Sequence, residues 1–260
     1  MGGGPLRRGH HGRPGLRTAV RPAPVRTRPR AWPAPAHVPP VHPVPLPVVL
    51  PGQTRVWAAS VAENAAAATA RRGELDREES LRADRFRRFA DVDRFLVAHV
   101  CLRDVLGTLL GTPPARLVID REPCTACGGP HGRPFLPGRP VHFSLAHAGD
   151  LVLVAVAPVP VGVDVADLLP DARVHTAVAG LHEDERAELL ALPRPARAAA
   201  FARCWTRKEA VLKSTGQGLS HGTRQPYVGT AAEPARTAEH QVYDLPVPAG
   251  GVAALALWTG

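Results

Sequence analysis

The stretch Phe201-Ala-Arg-Cys-Trp-Thr-Arg-Lys-Glu-Ala-Val-Leu-Lys-Ser-Thr-Gly216 combines a helical apolar pattern with a line of charged residues. At the helical period its apolar side chains form one stripe, which also contains Lys208. The stripe consists of Phe201, Cys204, Trp205, Val211 and Leu212. Glu209 and Lys213 lie one turn apart on its flank, and Gly216 ends the helix. Such a pair is most often a solvated salt bridge, but an ammonium group within an apolar stripe is costly unless it has a partner.

A second stretch, Val161-Gly-Val-Asp-Val-Ala166, alternates as a strand does. Its valines fall on one face and Asp164 on the other. An acid at this place either starts a turn or faces a functional site, and the local pattern does not decide between the two.

The charge of the chain is concentrated at its N-terminus. The net charge is +9, and eight of the 32 basic residues lie in residues 1–50, which contain no acid. The remainder therefore carries 24 basic against 23 acidic residues, which argues against nucleic acid binding by the folded part. Residues 1–50 also contain twelve prolines and no hydrophobic periodicity, so we expect a disordered tail. A polyanion-binding arm, a tether and an overlong start of the reading frame all remain open.

Neither a membrane span nor a signal peptide is indicated, so a cytoplasmic location is the simplest expectation. Cys101 and Cys204 fall within predicted helices as core residues. The stretch Cys124-Thr-Ala-Cys-Gly-Gly-Pro-His131 is similar to half of a zinc knuckle. A structural zinc site needs four ligands and no second cysteine pair exists, so we favour a plain turn.

The chain divides into two similar halves at Pro158-Val-Pro160. Each half contains a helix that ends at a glycine, Gly107 or Gly216, followed by apolar strands. The pattern predicts an α+β fold of two similar lobes, residues 51–158 and 159–260, after the tail of residues 1–50. The arginine-rich segment 74–89 is expected to be one helix with a solvated face.

Five stretches, taken together and in order, resemble the surfactin-synthetase-activating class of 4'-phosphopantetheinyl transferases. They are Gly132-Arg-Pro134, Phe143-Ser-Leu-Ala-His147, Gly162-Val-Asp-Val165, Trp205-Thr-Arg-Lys-Glu-Ala210, and Lys213 with Gly216-Gln-Gly-Leu219. The first two correspond to the family's Gly-Lys-Pro and Phe-Asn-Ile-Ser-His. The resemblance extends over residues 55–258 and implies that the two lobes form a pseudo-dimer within one chain, which we expect to be a monomer.

The resemblance implies an enzyme that transfers the phosphopantetheine arm of coenzyme A to a serine of an acyl or peptidyl carrier protein, releasing 3',5'-ADP. It implies that Asp164 and Glu209 bind Mg²⁺, that Lys213 stabilises the phosphates, and that Glu209 is the general base. The first lobe is implied to bind the nucleotide and the second to hold the metal and catalytic residues. The residues implied to bind coenzyme A are Arg82, Arg85, Arg94, Arg133, His147, Lys208 and Lys213.

Two positions depart from the family pattern. Ala166 stands where the family often has a metal-binding Glu, and Asp167 would project to the opposite face of the strand. Ala146 stands where the family has a serine before the histidine. A non-catalytic coenzyme A or carrier-binding homologue therefore stays an alternative, and nucleic acid binding through the tail is a less favoured one.

The carrier protein is expected to contact the stretch after Asp164. Its apolar and basic side chains suit an acidic amphipathic helix. They are Leu168, Leu169, Arg173 and Val174.

Overall fold

The computed structural model describes residues 1–2, 43–46, 48, 50–218, 222–247 and 250–260, without the side chains of residues 171–172. Residues 1–30 and 31–260 separate into two units, and every element below belongs to the second. The expected disordered tail lies largely outside the described residues. The sheet begins at Val44, before the boundary expected at residue 51, because Val44 and Pro45 pair with Ala58 and Trp57. Proline is tolerated at this edge because an edge strand leaves one set of backbone donors unused.

The described residues contain two main antiparallel sheets and six α-helices. The strands are β1 (Val44–Pro45), β2 (Arg55–Ser60), β3 (Asp120–Arg121), β4 (Pro134–Phe135), β5 (His142–Ala148), β6 (Leu151–Ala157), β7 (Val161–Asp167), β8 (His240–Leu245) and β9 (Gly251–Trp258). The helices are α1 (Val61–Ala70), α2 (Arg77–Ala83), α3 (Phe89–Leu110), α4 (Asp171–Ala177), α5 (Glu183–Ala191) and α6 (Arg194–Thr215). The first sheet has the order β1-β2-β6-β5 and the second the order β7-β9-β8.

The unbroken apolar run of β6 is buried on both faces. Val152, Val154 and Val156 pack in one apolar cluster with residues of α3. The alternate residues Leu153 and Ala155 pack with β7 and β9 of the second sheet. Because successive strand residues point to opposite faces, β6 connects the helix layer of the first half to the sheet of the second.

Strand β7 has two chemically different faces. Val161, Val163 and Val165 pack against the first sheet, so Gly162 and Asp164 lie on the other face, toward α6. A Cβ atom at Gly162 would lie 1.8 Å from the carbonyl oxygen of Ala210 in α6. Gly162 is therefore needed for the close approach of α6 to the strand that carries Asp164.

Helices α3 and α6 are each 22 residues long and end at a left-handed glycine, Gly111 with φ 63° and Gly216 with φ 76°. This correspondence confirms the prediction of two similar α+β lobes. The helix expected to end at Gly107 continues to Leu110. A Cβ atom at Gly107 would lie 2.6 Å from the carbonyl oxygen of Thr112, so this glycine allows the chain to fold back against the helix.

The arginine-rich segment is less helical than expected. Helix α2 covers only Arg77–Ala83 and begins with a capping box formed by Asp76 and Glu79. Arg85 lies beyond its end and is exposed. Among the described helices, none has both the length and the apolar character needed to cross a membrane.

Candidate active site

A cavity of about 770 Å³ lies where the ends of β5 and β7 meet α6. Its volume is in the range typical of small-molecule sites. Charged and polar residues from both halves line it, together with the loop after α6. They include Glu79, Arg82, Arg133, His147, Asp164 and Lys213.

Asp164 and Lys213 meet at one wall of this cavity. The Lys213 Nζ atom donates hydrogen bonds to Asp164 Oδ1 at 2.6 Å and to the carbonyl oxygen of Val163 at 3.1 Å. Asp164 is buried, whereas Lys213 retains 31% exposure of its side chain. The ammonium group thus lies between a buried carboxylate and the open cavity, where it is accessible to an anionic ligand.

Glu209 lies one helical turn before Lys213 and is half-buried. It is close enough to Asp164 for the charge of Asp164 to affect its pKa. Burial raises the pKa of Glu209, the charge of Asp164 raises it further, and Lys213 opposes both. Burial also raises the pKa of Asp164, against the opposing effect of Lys213. A buried carboxylate that raises the pKa of a second carboxylate beside it forms, with that carboxylate, a natural binding site for a cation. Glu209 is not among the residues that line the cavity itself.

The donor set fits Mg²⁺, which takes oxygen ligands and is commonly held by one or two carboxylates plus phosphates and water. Asp164 and Glu209 are the two carboxylates. Ala166 follows Asp164 on the same strand face and offers no ligand, whereas Asp167 is exposed. A carboxylate of Asp167 lies instead beside Gly149.

Three of the five arginine and histidine residues implied to bind coenzyme A line the cavity. Arg82 lies 5.8 Å from the ring centre of Phe95. Arg133 donates to Glu122 at 3.0 Å and to the carbonyl oxygen of Ser214 at the end of α6. The Arg133 head group is therefore held in place before any ligand binds, whereas Arg82 is exposed and contacts the Phe95 ring.

His147 is the third of these residues; the residue is partly exposed to solvent, and its side chain lines the cavity. Burial lowers the pKa of His147 to about 4, and the positive charges of Arg94 and Lys213 contribute. It therefore provides a hydrogen-bonding imidazole and no positive charge when the cavity holds no anion.

Arg85 and Arg94 do not line the cavity. Arg94 donates to the carbonyl oxygen of Gly149 at 3.0 Å and to Asp91 at 3.1 Å. Arg85 is exposed after the end of α2. The structure therefore brings Arg82, but neither of these two arginines, to the same cavity as His147.

Lys208 does not reach the cavity either. Its Nζ atom lies 2.8 Å from Glu185 Oε2 and donates to the carbonyl oxygen of Pro226 at 2.7 Å, and both charged side chains are 0% exposed. The neighbouring Arg207 is equally buried and binds Asp244 together with three backbone carbonyls of the 229–232 loop. These two residues of α6 hold the loops of the second half in place, so Lys208 is not included in the candidate active site.

Comparison with known proteins agrees with the resemblance noted in the sequence. The family profile of the 4'-phosphopantetheinyl transferase superfamily matches residues 160–244, which include Asp164, Glu209 and Lys213. The 4'-phosphopantetheinyl transferase HetI of Nostoc sp. is 32% identical over 168 residues, which cover 62% of this chain and 68% of the relative. The chain belongs to the 4'-phosphopantetheinyl transferase superfamily.

Relatives from Bacillus support the surfactin-synthetase-activating class within this superfamily. The 4'-phosphopantetheinyl transferase psf-1 of Bacillus pumilus is 32% identical over 148 residues, 56% of this chain and 59% of the relative. The 4'-phosphopantetheinyl transferase Sfp of Bacillus subtilis is 26% identical over 144 residues, 55% of this chain and 61% of the relative. The chain thus spans about three fifths of the length of several curated relatives that it matches.

The sequence did not predict a network of charged and polar side chains, formed by Glu79, His99 and Arg103, at the wall of the cavity. Glu79 accepts a hydrogen bond from Arg103 Nε at 2.8 Å and lies 2.9 Å from His99 Nδ1. Burial would raise the pKa of Glu79, but the hydrogen bonds with His99 and Arg103 outweigh it and lower the pKa to about 2. The His99 ring stacks on Phe95 at 4.0 Å, beneath Arg82. Nothing in the local sequence indicates this network, because Glu79 lies in a segment that looks like a solvated helix.

The stretch expected to contact a carrier protein is only partly available for contact. Leu168 is exposed, but Val174 is buried in the core and Leu169 packs against the same cluster. Val174 therefore stabilises the second half and cannot be part of a docking surface.

Proposed function

We propose that the protein transfers the 4'-phosphopantetheine arm of coenzyme A to a serine hydroxyl of an apo acyl or peptidyl carrier protein and releases 3',5'-ADP. The observation that carries this proposal is that Asp164, Glu209 and Lys213 lie close together. Asp164 is buried, Glu209 is half-buried, and both carboxyl groups have raised pKa values. Lys213 binds Asp164 and faces the cavity. This combination suits the binding and cleavage of a pyrophosphate.

Asp164 and Glu209 are proposed to hold Mg²⁺, with water at the position that Ala166 leaves without a ligand. When bound, the ion supplies charge neutralisation at the pyrophosphate. Lys213 would place its ammonium group beside the phosphates and stabilise the charge on the leaving 3',5'-ADP. Partial exposure of Lys213 supports this role, since its head group reaches the cavity without leaving Asp164.

Glu209 is proposed to accept the proton of the carrier serine as its oxygen attacks the β-phosphorus of coenzyme A, directly or through water. In the metal-free site, burial and the charge of Asp164 raise the pKa of Glu209, which favours acceptance of a proton at this carboxylate. The serine oxygen forms the new bond to phosphorus, and the bond from phosphorus to the 3',5'-ADP oxygen breaks.

The nucleotide of coenzyme A is proposed to bind to the first half, residues 51–158, and the second half, residues 159–260, to supply the metal and catalytic residues. Arg82 and Arg133 carry positive charge into the cavity, and His147 adds a hydrogen-bonding group. Arg85 and Arg94 are not needed for this arrangement. The cytoplasmic location and the monomeric state remain predictions from the sequence.

Mass spectrometry of an apo carrier protein after incubation with the full chain, coenzyme A and Mg²⁺ tests the proposal. We expect the carrier to gain one phosphopantetheine group. Glu209→Gln should slow transfer by about 10²–10⁴-fold because a general base is lost. Asp164→Ala should also abolish measurable transfer. Asp167→Asn, which changes an exposed carboxylate of the same strand, is the matched control and should keep the wild-type rate.

Two results would contradict this proposal. Full activity of Asp164→Ala or Glu209→Gln would remove the assigned roles. Coenzyme A binding by calorimetry without any transfer to several carriers would favour the non-catalytic homologue, an alternative that rests on Ala146 and Ala166.

A further inference from the structure

The loop between β3 and β4 brings three metal-binding side chains together. One ligand atom each from Cys124, Cys127 and His131 lies within 4.8 Å of the other two. Cys127 Sγ and His131 Nε2 are 3.1 Å apart. Among the residues that the structure describes, no other three histidine, cysteine or acidic side chains lie close enough together to share an ion.

The backbone of this loop has the form of a metal-binding knuckle. Gly128 adopts φ +72°, and its amide donates to the carbonyl oxygen of Cys124 at 2.7 Å. The thiolate is the form in which cysteine binds metals.

Gly129 leaves the space in which the side chains converge. A Cβ atom at this position would lie 3.1 Å from His131 Nε2 and 3.4 Å from Cys127 Sγ. Any side chain here would crowd the atoms that face each other. A glycine at this place thus permits the histidine to approach the cysteine pair.

We propose that Cys124, Cys127 and His131 bind a zinc ion, at a site separate from the Asp164–Glu209 pair. Tetrahedral zinc with bonds of about 2.3 Å to sulfur and about 2.0 Å to nitrogen separates such ligands by roughly 3.5 Å. The observed separations of 3.1 Å and at most 4.8 Å require only small side-chain adjustments. The fourth position faces solvent and takes a water molecule, because Cys124 is half-buried while Cys127 and His131 are exposed.

A metal ion explains features of the loop that a bare turn or a disulfide leaves unexplained. Strands β3 and β4 contain only two residues each, so the loop receives little support from its sheet. A Cys124–Cys127 disulfide would give His131 no role. Thiolate and imidazole ligands favour zinc over Mg²⁺, which keeps this site chemically distinct from the carboxylate pair.

The proposed zinc site also lies against the wall of the cavity. Thr125 Oγ1 donates to the carbonyl oxygen of Gln217, just after α6, at 3.3 Å. Arg133 follows the loop and binds Ser214 at the end of the same helix. A metal ion bound to Cys124, Cys127 and His131 would therefore fix the loop of the first half that contacts the end of α6.

Cobalt(II) titration of the full chain tests the proposal without any carrier or coenzyme A. The reduced protein is first stripped of metal by chelation and kept in excess Mg²⁺, which occupies oxygen-ligand sites. We expect a single ion per chain, a thiolate-to-cobalt charge-transfer band, and displacement of that band by zinc. Because the readout is metal binding alone, its failure and the failure of the proposed transfer reaction are distinguishable.

Variants of the loop assign the ligands. Cys124→Ser, Cys127→Ser and His131→Asn should each weaken binding by more than about 100-fold, since even groups behind the ligands contribute 10–100-fold. Ala126→Ser, an exposed position between the cysteines, is the matched control and should bind as the wild type does. Circular dichroism of each metal-free variant verifies that the fold is kept.

Three results would overturn the proposal. They are the absence of stoichiometric cobalt in the reduced wild-type protein, a bound-cobalt spectrum without thiolate character, and full retention of the charge-transfer band in the cysteine variants. Isolation of the protein with a Cys124–Cys127 disulfide that reduction does not convert to a metal-binding form would also overturn it.

Discussion

Replacement of Lys208 by methionine should lower the melting temperature of the protein without removing coenzyme A binding. The resemblance to the transferase family implied a phosphate contact for this lysine. In the structure it forms a fully buried ion pair with Glu185 at 2.8 Å. The substitution therefore separates a structural role from a role in ligand binding.

The expected magnitude follows from what remains around Glu185. Removing one partner of a buried ion pair costs about 3–5 kcal/mol because the other charge stays buried. The carboxylate would keep the backbone amides of Val228 at 2.7 Å and His182 at 3.1 Å, which places the cost near the lower limit. For a domain of this size, a loss of about 3 kcal/mol lowers the melting temperature by roughly 6–12 °C.

Thermal unfolding followed by circular dichroism measures the first effect, and calorimetry with coenzyme A at low temperature measures the second. Lys213→Met is the contrasting variant: its ammonium group is partly exposed and faces the cavity, so it should weaken coenzyme A binding and lower the stability less than Lys208→Met does. The double variant Lys208→Met/Glu185→Gln should recover part of the stability, because the unpaired buried charge is removed while the glutamine carbonyl oxygen can still accept from the Val228 amide. An unchanged melting temperature combined with lost coenzyme A affinity would refute the reasoning and return Lys208 to the phosphate site.

Two further predictions concern other parts of the cavity wall. Gly162→Ala should destabilise the protein by about 1–3 kcal/mol or more and reduce transfer, because its methyl group meets the α6 backbone at Ala210, 1.8 Å from the ideal Cβ position. Gly73→Ala, with open space around it and no positive φ, is the control for denaturant unfolding, and equal stability of the two variants would argue against the close approach. Glu79→Gln should lower the free energy of unfolding by about 3 kcal/mol at neutral pH. The pKa of Glu79 is depressed to about 2, so its contribution is present above the ordinary carboxyl pKa of 4.5 and is lost as the pH falls through about 2. The difference between wild type and variant in urea unfolding should therefore shrink below pH 4.5, and a difference independent of pH would contradict the assignment.

Much of the fold could be predicted because it depends on local periodicity. The apolar run of β6 is buried on both faces, and the pattern of α6 produced the expected helix ending at Gly216. The error at Gly107 has a simple cause. Glycine at a helix end and glycine at a close backbone contact look the same in sequence, and only the position of Thr112 distinguishes them.

The residues around Asp164, Glu209 and Lys213 were harder to predict from the sequence. The arginine-rich segment contains several arginines that look alike in sequence. Arg82 lies on α2 and lines the cavity, whereas Arg85 lies beyond the end of α2 at Ala83 and does not. Glu79 gave no signal, because its partners Arg103 and His99 come from another helix.

The sequence by itself determined the two-lobed α+β fold, the placement of Asp164 on the face opposite the valines, and the succession of motifs that marks the superfamily. These features follow from backbone periodicity and the order of residues along the chain. Only the tertiary structure decided that Lys208 is neutralised by Glu185 while Lys213 meets Asp164, and that His131 joins the cysteine pair. The physical reason is that the partner of a charged or metal-binding side chain is chosen by packing between elements distant in sequence or by the turn of a loop, which residue spacing alone does not specify.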